Sequence, residues 1–232
     1  MDERLRAVCD MSVGELREGS GLHEYDGVVQ DLSPGGVRAG LARLGGSRLD
    51  DPHDEAHLTA FEEHARVTYG QVELHRRNPA VHLANFDLAC YDRAYAPAAD
   101  RMAAKRAHLA LWPDAVEMAI ESLDAVPAPV AKSLVGAFRG LTAGIDADDP
   151  VGSAAMAAHG KLMLHLDAAA QNGSPDAALG APALASLMGA IEATKVDLGR
   201  LAELADGERD RLMDLLRGAC ARIRPGAKVR DV

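Results

Sequence analysis

Side chains that could bind a substrate are concentrated between Glu73 and Pro113, in a chain otherwise rich in alanine and leucine. Arginine carries a planar charged group that pairs with carboxylates through two hydrogen bonds. Tyrosine packs as an aromatic ring and hydrogen-bonds through its phenol, and histidine exchanges protons near neutral pH. The residues that we predict to contact a substrate are Arg77, Tyr91, Arg93, Tyr95, Arg101 and His108.

These six residues also have a structural interpretation, which the sequence leaves open. Arginine and tyrosine side chains can hydrogen-bond the carbonyl groups at helix ends, and Asp87, Asp92 and Asp100 are nearby as ion-pair partners. No pair of carboxylates with the spacing of a metal site accompanies them, so the group has no means of activating water. We therefore predict no catalytic residue and no metal ligand in this chain.

Three prolines divide the stretch, in the steps Asn78-Pro79, Ala96-Pro97 and Trp112-Pro113. Proline fits the first turn of a helix and holds the residue before it extended. The spacing predicts two helices joined by a short corner at residues 91–95. This corner would bring the tyrosines and arginines together.

The order of several short motifs resembles a known family. HRRNP at residues 75–79 is followed by YDRAYAP at 91–97 and HLALWP at 108–113, with YDGVVQDLSPGGV upstream at 25–37. Residues 179–223 resemble the family's later helices. The chain is similar to the N-terminal half of the bacterial family catalogued as domain of unknown function 885, whose members resemble zinc metallopeptidases.

The resemblance implies a function divided between two chains. Full-length members are roughly twice as long and carry a helical His-Glu metal motif in the half that this chain does not contain. We therefore expect the N-terminal, substrate-binding subunit of a two-chain amide or peptide hydrolase. Zinc or another divalent metal would lie on the partner chain, and the ligand would be a peptide-like or amino-acid-derived small molecule.

Composition narrows the classes of partner. The formal charge of -10 and the pI near 5.3 argue against nucleic acid and against an anionic membrane surface, both of which select basic proteins. The first residues are too charged for a signal peptide, and no apolar run of about 18 residues is present. We expect a cytoplasmic protein in which Cys9, Cys90 and Cys220 are reduced thiols.

Apolar residues recur with the helical period, and runs of β-branched residues bounded by turns are absent. The prediction is an all-α fold of about eight antiparallel helices without a sheet. Ser33-Pro34 and Asp51-Pro52 mark two of the helix starts.

No long linker is visible, so we expect a single helical domain over residues 1–232. Its predicted parts are an N-terminal arm and loop (1–30), helices with the RRNP and YDRAYAP motifs (31–125), later helices (126–224) and a basic tail (225–232).

A histidine cluster offers an alternative metal site. His53, His57 and His64 fall on one helix face, and Glu63 is available as a further oxygen ligand. His64 lies about 10 Å beyond His57 along the helix, so a second helix would have to close the site. A solvated or packing role is the preferred interpretation.

Two other patterns point to metals without completing a site. His23-Glu24 begins like a metalloprotease motif, but Gly27 occupies the position of the second histidine. The acidic turn at residues 146–149 lacks the ordered ligands of a calcium loop and is explained by a helix cap.

Two further functional hypotheses remain beside the two-chain hydrolase. One is a non-catalytic helical binding or scaffold protein, and the other is a free-standing metal enzyme built on His53, His57 and His64. An obligate subunit should expose the apolar face that meets its partner, whereas a scaffold should not. The exposed surface therefore distinguishes the first two hypotheses.

Overall fold

The computed structural model describes residues 2–20, 22–226 and 228–231, apart from the side chains of Glu18 and Ser20. All regular structure in these ranges is helical, and they contain no strand. The prediction of an all-α fold is confirmed. Among the described helices, none combines the length and the apolar character needed to cross a membrane.

The chain divides into two compact units, residues 1–179 and residues 180–232. The single domain expected over residues 1–232 stays a prediction.

The first unit contains nine α-helical segments among the described residues, several of them extended by π or 3₁₀ turns. The α-helices are α1 Glu3–Asp10, α2 Val13–Glu15, α3 Pro34–Ala42, α4 Pro52–Ala65, α5 Leu74–Arg77, α6 Ala98–Ala110, α7 Trp112–Ser122, α8 Ala128–Arg139 and α9 Pro150–Asn172. The π-helical segments are Leu16–Ser20 after α2 and Arg66–Gln71 after α4. The 3₁₀ segments are His23–Tyr25, Pro79–Asn85, Ala89–Asp92 and Gly140–Thr142.

Several helices begin as the sequence predicts. Ser33 accepts a hydrogen bond from the amide of Gly36, with Pro34 as the first residue of α3. Asp51 accepts from the amides of His53 and Asp54 at the start of α4. Each cap satisfies amides that have no partner inside the helix, which is worth about 1 kcal/mol.

The helix predicted after Pro79 is a 3₁₀ segment that ends at Asn85. An α-helix would continue through a hydrogen bond from the amide of Ala89 to the carbonyl of Asn85, but both groups have other partners. The carbonyl of Asn85 accepts from Nε2 of His108 at 2.9 Å, and the amide of Ala89 donates to Oδ1 of Asp87 at 2.8 Å. A second short 3₁₀ segment, Ala89–Asp92, follows and contains Tyr91.

The main core of the first unit lies where α9 packs against α7 and α8. Trp112 and Phe138 are fully buried, and the ring of Phe86 meets that of Trp112 edge-on, with the centroids 5.6 Å apart. α9 contributes Leu162 and Leu166 to the same cluster. Each such buried side chain stabilises the fold by about 1.5 to 3 kcal/mol, so this core fixes the position of the segments around Tyr91.

A buried ion cluster joins α1 to α4, and the sequence analysis did not find it. Arg4 makes two hydrogen bonds to Glu62, at 2.9 and 3.0 Å, and a third to Glu55 at 2.9 Å. The amides of Gly45 and Leu49 donate to Glu62 and Glu55 respectively. These bonds hold the pKa of both carboxyl groups below the usual range.

The second unit contains α10 Ala181–Ile191, α11 Leu198–Ile223 and a 3₁₀ segment, Val229–Asp231. Asp197 caps α11 by accepting a hydrogen bond from the amide of Arg200 at 3.1 Å. Large apolar side chains of both helices are exposed. They are Leu184, Met188, Ile191, Leu201, Leu204, Leu212, Leu215, Leu216 and Ile223.

Candidate functional site

Tyr91 and His108 form the centre of the predicted site. The phenol of Tyr91 lies 3.1 Å from Nδ1 of His108, and Nε2 of His108 lies 2.9 Å from the carbonyl oxygen of Asn85. Because a carbonyl only accepts, the ring hydrogen is on Nε2, and Nδ1 accepts from the phenol. The phenol oxygen in turn accepts from the amide of Gly27 at 2.9 Å. Every polar atom of this chain of bonds has a partner.

Both rings are fully buried. Burial raises the pKa of Tyr91 to about 12. Burial, reinforced by the charge of Arg17, lowers the pKa of His108 to about 4. Both side chains are therefore neutral at pH 7, and neither reaches solvent to exchange a proton with a substrate.

Arg101 holds the start of α6 against the corner at residues 91–95. Its Nε donates to the carbonyl of Ala96 at 2.9 Å, and its Nη1 donates to the carbonyl of Tyr91 at 2.5 Å. Two of its donors thus satisfy backbone carbonyls of the corner. In this arrangement Arg101 positions Tyr91.

Tyr95 lies at the outer side of the same corner and is half-buried. Its phenol donates to Oδ2 of Asp26 at 2.8 Å, and its ring stacks on that of His23 with the centroids 4.6 Å apart. Burial and the bond to Asp26 raise the pKa of Tyr95. Because Gly27 follows Asp26, the two tyrosines bind consecutive residues of one loop.

Arg77 differs from the other predicted residues. Its side chain is half-buried, and no hydrogen bond or ion pair joins its guanidinium group to any described residue. The preceding residue, Arg76, makes two bonds of 2.8 Å to Asp124 and one of 2.8 Å to Glu73. The short helix α5 therefore carries one fully paired arginine and one unpaired arginine side by side.

The structure joins Tyr91, Arg101 and His108 directly, and it links Tyr95 to them through residues 26 and 27. Arg93 is exposed at the corner between the two tyrosines. No hydrogen bond or ion pair among the described residues joins Arg77 to this group. The substrate-binding role of the six residues stays a prediction.

Three residues that support the site were missed from the sequence. Arg17 donates to the carbonyls of Val28 and Ala84, at 2.9 and 2.6 Å. The side chain of Asn85 accepts from the backbone amide of Gln30 through Oδ1 and donates to the carbonyl of Gln30 through Nδ2, both at 2.8 Å. Asp26, the third, accepts from Tyr95. Apart from the bond from Arg17 to Val28, which spans 11 residues, these bonds link segments more than 50 residues apart, so no local pattern reveals them.

Histidines recur in this fold as donors to backbone carbonyls. Three more histidines resemble His108 in this respect, each with its Nε2 at 2.8 Å from a backbone carbonyl oxygen. His82 contacts the carbonyl of His75, His159 that of Phe138, and His165 that of Leu123. Leu123 caps the end of α7, where carbonyls lack helical partners. These imidazoles satisfy the backbone and are not arranged around a metal.

The histidines of α4 do not assemble a three-ligand site. The rings of His53 and His57 are 4.4 Å apart, while Nε2 of His64 faces Thr68 Oγ1 at 3.5 Å. Within the described residues, no group of three His, Cys, Asp or Glu side chains is placed to hold a metal ion. Of the incomplete metalloprotease motif, His23 stacks on Tyr95, and Glu24 pairs with Arg6 at 3.0 Å.

No protein-family model matches the chain, and no curated protein matches it either. The resemblance to the metallopeptidase-like family therefore stays a prediction that rests on the quoted motifs.

Proposed function

We propose that the chain is a substrate-binding subunit of a metallopeptidase-like hydrolase whose metal site lies on a partner chain. The observation that carries the proposal is the unpaired guanidinium group of Arg77 beside the fully paired Arg76. An arginine held half-buried without an anionic partner is suited to bind a carboxylate of a peptide-like ligand.

The paired side chains around the corner have a positioning role in this proposal. Tyr91, His108 and Arg101 use their polar atoms inside the protein, so they fix the backbone of residues 91–97. The surface groups that remain for a ligand are Arg77 and the outer edge of Tyr95. Fixed donors of this kind orient a substrate at a small entropic cost.

The chemistry of water activation is assigned to the partner because the described residues do not provide a metal site. They contain no group of three metal-ligating side chains. A divalent metal on the partner would supply the Lewis acid for amide hydrolysis.

The exposed apolar side chains of residues 180–232 support an assembly over a solitary protein. Nine large apolar residues there are at least 36% exposed, and monomeric proteins rarely leave so many together on two helices. This observation favours a chain that associates, with itself or with a partner chain, over the solitary scaffold.

A second candidate function is a non-catalytic helical binding protein. It is favoured by the hydrogen-bond network of Tyr91 and His108, in which every polar atom is already satisfied within the fold. In this case the corner serves only stability.

The decisive experiment is purification of the tagged chain from its own source under conditions that preserve metals. The hydrolase proposal expects a second polypeptide in fixed ratio, about one equivalent of divalent metal, and hydrolysis of dipeptides that is abolished by a chelator and restored by zinc. A preparation with neither metal nor peptide hydrolysis would refute the proposal and leave the binding protein.

A further inference from the structure

One face of α11 carries apolar side chains in both halves of the helix, and most of them are exposed. At 100° per residue, nine apolar side chains fall within an arc of about 120° on this face. We name this set the α11 stripe; its members are Leu198, Leu201, Leu204, Ala205, Leu212, Leu215, Leu216, Ala219 and Ile223. Leu215 is 58% exposed and Ile223 is 75% exposed.

A helix with this pattern needs a partner surface of matching length. α11 has 26 residues and is about 39 Å long. Most of the stability of a helix comes from packing its apolar face, and exposed ion pairs such as Arg200 to Glu203 contribute little. The α11 stripe is therefore the feature of the second unit that an interface would bury.

The charges along α11 separate into two halves. Residues 197–210 contain five acidic and two basic side chains, for a net charge of -3. Residues 211–224 contain one acidic and four basic side chains, for a net charge of +3. This order suits the helix dipole, and it also makes the helix complementary to itself when reversed.

We propose that the α11 stripe is covered by the α11 stripe of a second copy of the chain, with the two helices antiparallel. The acidic half of each helix then lies against the basic half of the other, twice in each dimer. A parallel pair would place like charges together at both ends. The arrangement is isologous, so a single two-fold axis closes it.

A polar residue inside the stripe fixes the alignment of the two helices. Glu208 falls on the stripe close to the middle of the helix, where Arg211 bonds it at 2.6 and 2.7 Å. A polar side chain within an apolar helix interface specifies register, because a shifted alignment buries it against leucine. With the midpoint of α11 on the two-fold axis, Glu208 and Arg211 of both copies meet there.

The dimer uses none of the residues of the predicted substrate site, so it is independent of the proposed function. It also leaves open which surface a partner chain would use. The inference therefore fails or holds separately from the hydrolase proposal.

Mass measurement of the full chain by light scattering, over a range of concentrations, tests the proposal. We expect a dimer, and we expect Leu212→Glu with Leu215→Glu to weaken association at least a hundredfold. The control is Leu164→Glu on α9, which changes a leucine that is 73% exposed and should leave the dimer intact. Fluorescence of Trp112, the single tryptophan, reports whether the first unit stays folded.

Charge reversal tests the orientation. Arg217→Glu with Arg222→Glu should weaken an antiparallel dimer, as should Glu203→Arg with Asp206→Arg, while a mixture of the two variants should restore association. A parallel dimer would instead be tightened by the first reversal, because the net charge of each of the two facing halves would fall from +3 to -1. A monomeric chain at all concentrations, a dimer insensitive to Leu212→Glu with Leu215→Glu, or a dimer tightened by that reversal would each overturn the proposal.

Discussion

The phenol of Tyr91 donates to Nδ1 of His108 across 3.1 Å, and both rings are fully buried. The bond ties the corner at residues 91–95 to α6, which also reaches this corner through Arg101, at the carbonyl of Tyr91, and through Lys105, at Asp92. Two residues selected from the sequence as ligand-binding groups are thus bound to each other.

Tyr91→Phe should lower the free energy of unfolding by about 2 to 4 kcal/mol, because it leaves the amide of Gly27 and Nδ1 of His108 buried without partners. Urea denaturation measures the change. Tyr95→Phe is the matched control and should cost about 1 kcal/mol, since Asp26 is partly exposed and regains water. Equal losses of unfolding free energy in the two variants would show that the buried hydrogen bonds of Tyr91 contribute no more than the partly exposed bond of Tyr95.

Acid should destabilise the protein through its buried histidines. The pKa of His108 is about 4 in the folded protein and about 6.5 when unfolded, so the unfolded chain binds more protons between these values. His82 behaves in the same way. The stability contributed by each neutral imidazole is complete above pH 6.5 and is lost as the pH falls toward 4. The total loss per histidine is on the order of 3 kcal/mol.

His108→Gln tests the assignment of this loss. The glutamine amide can donate to the carbonyl of Asn85 and accept from Tyr91, but it does not titrate. Between pH 4 and 6.5 the slope of unfolding free energy against pH should fall by about 1.4 kcal/mol per pH unit relative to the unmodified protein. An unchanged slope would show that His108 does not titrate in this range.

Glu62→Ala should lower the urea midpoint far more than Glu63→Ala does. Glu62 accepts two hydrogen bonds from the buried Arg4 and one from the amide of Gly45, and its loss leaves Arg4 without its bidentate partner. Glu63 is exposed and pairs with Arg66 at 3.9 Å. Similar midpoints for the two variants would mean that the cluster contributes little to stability.

Arg77→Ala should weaken binding of dipeptides that carry a free carboxylate by about 1.5 to 3 kcal/mol, or roughly tenfold to a hundredfold, without changing the melting temperature. Arg76→Ala should lower the melting temperature and leave dipeptide binding unchanged, because that side chain is paired with Asp124 and Glu73. Titration calorimetry and thermal melting on the same preparations separate the two effects. Unchanged dipeptide binding by Arg77→Ala would show that Arg77 does not bind the carboxylate.

Local sequence signals predicted the helices and their starts. Ser33 and Asp51 cap α3 and α4 as expected, since a cap and a following proline act within one turn. The 3₁₀ geometry after Pro79 was not predictable, because it depends on His108, which is 23 residues from Asn85. Distant contacts changed an element whose own residues suggested an α-helix.

In the candidate site, too, local signals were predictable from the sequence and distant contacts were not. The concentration of arginine and tyrosine drew attention to Tyr91 and His108, which the structure joins, but residue type could not distinguish a ligand contact from an internal bond. Arg17 was missed because its partners, Val28 and Ala84, lie on separate segments. The pairing of Arg76 likewise depends on where Asp124, 48 residues away, lies.

The long-range bonds of the N-terminal segment have a consequence for synthesis. Arg17 reaches Ala84 across 67 residues, Gly27 reaches Tyr91 across 64, and Asp26 reaches Tyr95 across 69. At about 5 to 20 residues per second, the ribosome needs about 3 to 14 seconds to produce these partners after the segment itself. During that interval the nascent segment has none of these anchors, and chaperones that recognise unattached chain have time to bind it.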